Sequence, residues 1–173
     1  MAGHERIFVG IGANLGAAAM TVRRVVAELD AIARTKLVAA SSLYRSAPVD
    51  ASGPDYINAV AELRSELEPL ALLAALQSIE QAHGRTRPHA NAPRTLDLDL
   101  LFYGLRAQRD SRLVLPHPRV NERAFVLAPL LELAPDGAWA DGRSFAQAFA
   151  TVLDGMPRQR IERLPAHPST RSE

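Results

Sequence analysis

The chain has 173 residues, 47% of them hydrophobic, and a formal net charge of +1. That length and apolar content suffice for one hydrophobic core, while so small a net charge supplies no global field for nucleic acid or an acidic membrane. The absence of cysteine excludes disulfides and thiolate metal sites, and no apolar run reaches the roughly eighteen residues of a membrane-spanning helix.

The opening MAGHERIF lacks a basic-then-apolar secretion pattern, so a cytoplasmic protein is expected. Lys36 is the single lysine beside nineteen arginines. A Walker A loop needs a Gly-Lys-[Ser/Thr] step, which Lys36 does not provide. Any phosphate chemistry here must rest on arginine, metal and backbone N–H groups.

In chain order, residues 6–12 (RIFVGIG) read as a first strand, broken by the glycines of GANLG. Val22, Val25, Val26, Leu29 and Ile32 recur at helical spacing over 20–33. KLVAASSLYR (36–45) reads as a second strand and YINAVAEL (56–63) as a third, joined by a turn-rich loop over 46–54. Pro69 suits the first turn of a second helix and Gly84 its C′ position, with a stripe of Leu70, Leu73, Leu76 and Ile79 between them. An Arg- and Pro-bearing loop (85–94) leads into a fourth strand over 95–103. Residues 104–110 read as a turn and 112–115 as a short strand. Helical stripes follow over 120–133 and 144–153.

The β-α-β-β-α-β order predicts an α+β, ferredoxin-like fold: an antiparallel sheet with helices packed on one face and extra C-terminal strand and helix elements. A single domain is expected over 1–157, with 158–173 as a polar, partly disordered tail.

The fourth strand, TLDLDLLFY, carries two acids where burial is expected. Residues two apart on a strand share a face, so Asp97 and Asp99 stand together with Leu101, while Leu98, Leu100 and Phe102 are expected on the core side. The two carboxylate attachment points lie roughly 6.5 Å apart, which suits one divalent cation or a closely spaced pair, Mg²⁺ being the fitting hard ion. Alone, Asp-x-Asp reads more simply as a solvated strand face. What tips the reading is the run of cations around it: Arg85, Arg87 and Arg94 upstream, then Arg112, His117, Arg119 and Arg123 downstream. Arginines beside a metal pair suit a polyphosphate.

Tyr56 and Asn58 share a face of the third strand and could stack on and hydrogen-bond a flat heterocycle, or simply line the surface. Phe125 could supply a second stacking face or belong to the core. Gln77 and Glu80 are helical neighbours, either contacting a nucleotide or forming a wet helix face. His117, between two prolines, either touches phosphate or is structural. The glycines of GIGANLG are one residue off the dinucleotide fingerprint, and the next strand ends SSLYRS without the acid that fingerprint requires. They read instead as a tight exit from the first strand. A nicotinamide oxidoreductase and a ferredoxin-like RNA-binding module are the rival classes. The second is opposed by carboxylates where exposed aromatics would be needed.

Together IGANLG, SSLYRSAPV, DYINAVAEL, IEQAHGRTR, PRTLDLDLLFYG and LPHPRVNERAFVLAPLLELAP resemble the 6-hydroxymethyl-7,8-dihydropterin pyrophosphokinase family over about residues 7–142. The resemblance implies transfer of pyrophosphate from ATP to the pterin hydroxymethyl group with release of AMP, in folate biosynthesis, using two Mg²⁺. It implies that Asp97 and Asp99 bind metal and that Arg85 and Arg94 are catalytic. Gln77, Glu80, Arg87, Leu100, Arg112, His117 and Arg123 would contact ATP. Ser46, Ala47, Val49, Tyr56, Asn58 and Phe125 would form the pterin pocket. The partners implied are these two small molecules, with no nucleic acid and no membrane, and a monomer is expected. Some positions depart from the family's common form. Ser46-Ala47 stands for Thr-Pro, Asn91-Ala92 for an Arg-Trp pair in a slightly longer loop, and Val114 and Pro118 for a nucleotide-touching Thr and Tyr.

Overall fold

The structure is a computed structural model that describes residues 5–48, 53–84, 96–155 and 160–166. Its elements run β1 (Ile7–Ala13), α1 (Ala18–Asp30), β2 (Thr35–Ala40), β3 (Tyr44–Ser46), β4 (Tyr56–Ser65), α2 (Pro69–Ala82) and β5 (Asp97–Tyr103). They continue through β6 (Gln108–Arg109), β7 (Val114–Leu115), a 3₁₀ turn at Val120–Glu122, α3 (Ala124–Leu133), α4 (Phe145–Gly155) and β8 (Ile161–Arg163). The main sheet is ordered β5-β1-β4-β3-β8, with β2 also on β4, and every pairing is antiparallel. No helix among the described residues is long and apolar enough to cross a membrane.

The expected second strand is two. Ala40 faces Ala61 and Tyr44 faces Asn58, so three residues on one side span two on the other. Ser41 absorbs the extra residue: its N–H donates to the Val60 carbonyl and its hydroxyl accepts the Val60 N–H, both at 2.9 Å. A serine side chain thus replaces one backbone acceptor of the ladder, and the strand bends there. Beyond residue 157, Ile161–Arg163 adds an edge strand on β3, in the segment that sequence alone assigns to a tail.

One sheet face packs α1 and α2 over Ile7, Val9, Ile11, Ile57, Ala59, Ala61, Leu63, Leu98 and Leu100. Val22, Val25 and Leu29 are the fully buried stripe of α1. In α2 the stripe is Leu72, Leu76 and Glu80, with Leu70, Leu73 and Ile79 only partly buried, so the helix is rotated slightly from the expected face. Pro69 begins α2, and Gly84, at φ +75°, follows its cap, as residue type dictates.

The C-terminal helices α3 and α4 cover one end of the other face, over Phe8, Val60, Leu101 and Phe102. Phe102 meets Trp139 and Phe145 with ring centroids 6.0 and 5.2 Å away. This corrects the expectation that Phe102 sides with Leu98 and Leu100. Phe8 pairs Phe102 but Val9 pairs Leu100, so Leu101 is a bulge and the alternation slips by one.

Candidate active site

The end of that second face away from α3 and α4 carries the candidate site. β1 lies between β5 and β4, and Gly10 and Gly12 face Asp99 and Asp97 across the ladder. On the other flank Gly12 faces Asn58. A Cβ on Gly12 would stand 3.4 Å from Asn58 Oδ1 and 3.9 Å from a Tyr56 ring carbon. The two glycines are therefore not a tight exit from β1. They are a floor inside the strand, kept low between the acids of β5 and the Tyr56–Asn58 pair of β4. The G-x-G spacing, at the two-residue period of a strand, was the signal for this.

Asp97 and Asp99 share this face as expected. Arg123 reaches them from the other side of the site: its Nη1 lies 3.8 Å from Asp99 Oδ2, and its guanidinium carbon 5.6 Å from the Phe125 ring centroid. The expected helix over 120–133 is interrupted to make this possible. Arg123 has extended dihedrals (φ −118°, ψ 104°) between the 3₁₀ turn and α3. Burial pulls the Arg123 pKa below its ordinary value, and Asp99 opposes that shift.

His117 is fixed by its backbone as well as its ring. Its N–H donates to the Leu101 carbonyl at 2.8 Å, and its Nδ1 accepts the Arg119 N–H at 3.2 Å. The neutral ring then carries its proton on Nε2, a donor suited to phosphate oxygen. Burial, then Arg123, push the imidazole down to about 4, with Asp97 pulling against them and Arg119 adding to them.

At the β4 end, Asn58 is 4% exposed. Its Nδ2 donates to Ser46 Oγ at 2.8 Å and to the Tyr44 carbonyl at 3.3 Å. With both amide hydrogens committed, Oδ1 remains as an acceptor, a group suited to an N–H-bearing edge. Ser46 is buried and supports Asn58, Ala47 is exposed, and Tyr56 and Phe125 are half-buried.

Other residues are placed differently from one another. Gln77 is exposed, but Glu80 is 1% exposed and its carboxylate accepts the Leu98 N–H at 3.0 Å, so the two do not form one wet helix face. Leu100 points its side chain into the α1/α2 core, leaving only its backbone for a ligand. Arg112 is exposed on a turn that Asp110 holds through the Arg112 and Leu113 N–H groups. Val49, Arg85, Arg87 and Arg94 lie outside the described residues.

Two carboxylates fit a hard cation that keeps most of its shell as water and phosphate oxygen, as Mg²⁺ does. Among the described residues no cluster of three or more His, Cys, Asp or Glu suited to a metal ion exists. Paired acids, an arginine and a neutral imidazole thus stand over a glycine floor that ends at an aromatic–amide pair, a donor set suited to phosphate and a flat heterocycle.

A family model described as "7,8-dihydro-6-hydroxymethylpterin-pyrophosphokinase (HPPK)" matches residues 8–135. A 2-amino-4-hydroxy-6-hydroxymethyldihydropteridine pyrophosphokinase of Synechocystis sp. is 46% identical over 136 residues, covering 79% of this chain and 69% of that protein. The protein of the same name from Pseudomonas aeruginosa is 41% identical over 162 residues, covering 93% and 98%. Among solved structures, a wild-type Plasmodium falciparum HPPK-DHPS with pterin and p-hydroxybenzoate superposes with TM-score 0.71 at 12% identity. It is matched over 91% of this chain and 46% of that longer one, and at that identity the likeness is one of fold. The chain belongs to the 6-hydroxymethyl-7,8-dihydropterin pyrophosphokinase family, enzymes that transfer pyrophosphate from ATP to the pterin in folate biosynthesis.

Proposed function

We propose that the open end of the sheet performs this family's reaction, with ATP over β5 and the pterin over β4. The observation that carries the assignment is the shared face: Asp97, Asp99, Gly10, Gly12 and Asn58 lie side by side on three adjacent strands. The pterin hydroxymethyl oxygen attacks the β-phosphorus of ATP. The bond from that phosphorus to the α-phosphate bridging oxygen breaks, AMP leaves, and the hydroxyl proton passes to solvent.

Tyr56 and Phe125 stack on the pterin ring, and Asn58 Oδ1 accepts from its N–H edge. Ser46 holds Asn58, and Ala47 and Val49 complete the pocket. Asp97 and Asp99 would hold two Mg²⁺ ions, which supply charge neutralisation between the phosphates. Arg123 and the His117 Nε2–H bind phosphate oxygens on the side away from the floor. Gln77, Glu80, Arg87, Leu100 and Arg112 complete the nucleotide site. Arg85 and Arg94 meet the charge that grows in the transition state. Because Arg123 spans Asp99 and Phe125, it couples the nucleotide half to the pterin half. We propose further that the enzyme is a monomeric cytoplasmic protein, with one domain over 1–157 to which β8 adds an edge strand, and no nucleic-acid or membrane partner.

The test is product analysis with ATP, Mg²⁺ and hydroxymethyl-dihydropterin. AMP and the pterin diphosphate in equal amounts support the assignment, and their loss in Asp97→Ala with retained fold ties it to this face. ADP as the nucleotide product, or full activity in Asp97→Ala, overturns it.

A further inference from the structure

Asn14 is the residue of this region that the reaction above leaves unused. It follows β1 directly, two residues beyond Gly12, and is 3% exposed. Its Nδ2 donates to the carbonyl of Pro54 at 3.2 Å, forty residues away in sequence. Its Oδ1 is buried with no hydrogen-bond partner among the described residues. A buried amide oxygen in that state is destabilising, while the amide nitrogen is committed to Pro54.

We propose that Asn14 is a positioning residue for the heterocycle: its amide clamps Pro54, sets the chain's approach to β4, and so fixes where Tyr56 and Asn58 stand above the glycine floor. The chain leaves β1 at Ala13, which pairs Ile57, and Pro54 lies only two residues before Tyr56. Besides the ladder itself, this hydrogen bond ties the end of β1 to the segment leading into β4. Tyr56 has a single ladder partner on the β3 side, Ser46, and lies beyond the last residue of β1 in register. The stacking residue therefore sits where the sheet offers least support, and the Asn14 clamp supplies it. The acids of β5 lie on the other flank of β1, so the clamp acts on the pterin half and not on the nucleotide half.

The inference rests on the pterin lying at Tyr56 and Asn58, so Tyr56→Ala is the control. Pterin and a non-hydrolysable ATP analogue with Mg²⁺ are titrated separately into wild type, Asn14→Ala, Asn14→Asp and Tyr56→Ala. The expected result is pterin binding weakened about tenfold or more in all three variants. Asn14→Asp is included because an ionised carboxylate has no hydrogen to donate to Pro54. Binding of the ATP analogue alone stays within about twofold. Equal loss of both ligands, or no loss in either Asn14 variant while Tyr56→Ala weakens pterin, overturns the positioning role. Unchanged pterin affinity in Tyr56→Ala overturns the pocket assignment instead. Should the Asn14 variants fail to fold, the wild-type side-chain amide is followed by ¹⁵N NMR. Its Nδ2 protons are expected to be slow to exchange and to shift with pterin but not with nucleotide; fast exchange or no shift contradicts the clamp.

Discussion

Removing the Glu80 carboxylate should loosen the strand that carries both acids. β5 is an edge of the sheet, and its Leu98 N–H, between Asp97 and Asp99, donates to Glu80 Oε2 at 3.0 Å. Both residues are buried, at 1% and 4% exposure. Hydrogen bonds to charged groups are worth about 1.5–3 kcal/mol, and Glu80→Ala also leaves a buried N–H unpaired. The expected loss is about 2–3 kcal/mol, or a fall in Tm of about 4–12 °C for a chain of this size. Glu80→Gln keeps an acceptor oxygen and should lose about half as much. Thermal unfolding gives the stability, and titration with Mg²⁺ and a non-hydrolysable ATP analogue gives the site. Weaker nucleotide binding should accompany the lower Tm. An Ala variant that unfolds within about 1 °C of wild type, yet binds nucleotide poorly, would refute the reasoning and leave Glu80 as a ligand contact alone.

Three further outcomes follow from the same geometry. Gly12→Val should weaken pterin binding at least tenfold by calorimetry, because even a bare Cβ reaches 3.4 Å from Asn58 Oδ1, whereas Gly12→Ala should cost less; equal affinities would mean that the floor is not used. The His117 pKa, about 4 when folded, lies below the unfolded value of about 6.5, so the unfolded chain takes up the proton first. The stability it contributes is complete above about pH 6.5 and is lost as pH falls towards 4. Urea midpoints should therefore fall less steeply over that window in His117→Gln, and identical slopes would contradict the burial of the ring. Glu132 accepts from the Ser42 N–H, the Ser42 hydroxyl and the Tyr44 hydroxyl, the last at 2.7 Å. Burial, then Glu132, raise Tyr44 to about 12. Tyr44→Phe should cost about 1–2 kcal/mol and Glu132→Ala more, read by urea unfolding; a neutral Glu132→Ala would show that the cluster does not hold β3.

Much of this was legible in residue order because the signals are local. Alternation placed Asp97 with Asp99 and Tyr56 with Asn58, and Pro69 and Gly84 bracketed α2. The departures came from single residues that change the period. One extra residue at Leu101 moved Phe102 to the opposite core. A serine hydroxyl at Ser41 stood in for a backbone group and split one strand into two. Glu80 looked solvated because it accepts a backbone N–H eighteen residues away, which no composition or spacing reveals. The strand at Ile161–Arg163 is three residues long, and its pairing with β3 rather than its own sequence defines it. Arg123 could be listed among cations, but its place beside Asp99 depends on the break before α3, which the apolar stripe runs straight through.

The most direct measurement is a crystal structure of the complex with Mn²⁺, a non-hydrolysable ATP analogue and the pterin, with the metal located by anomalous scattering. Two metal peaks between the Asp97 and Asp99 carboxylates and the nucleotide phosphates, with the pterin between Tyr56 and Phe125, are the predicted result. Peaks away from both carboxylates, or the aspartates turned to opposite sides of β5, would contradict the account.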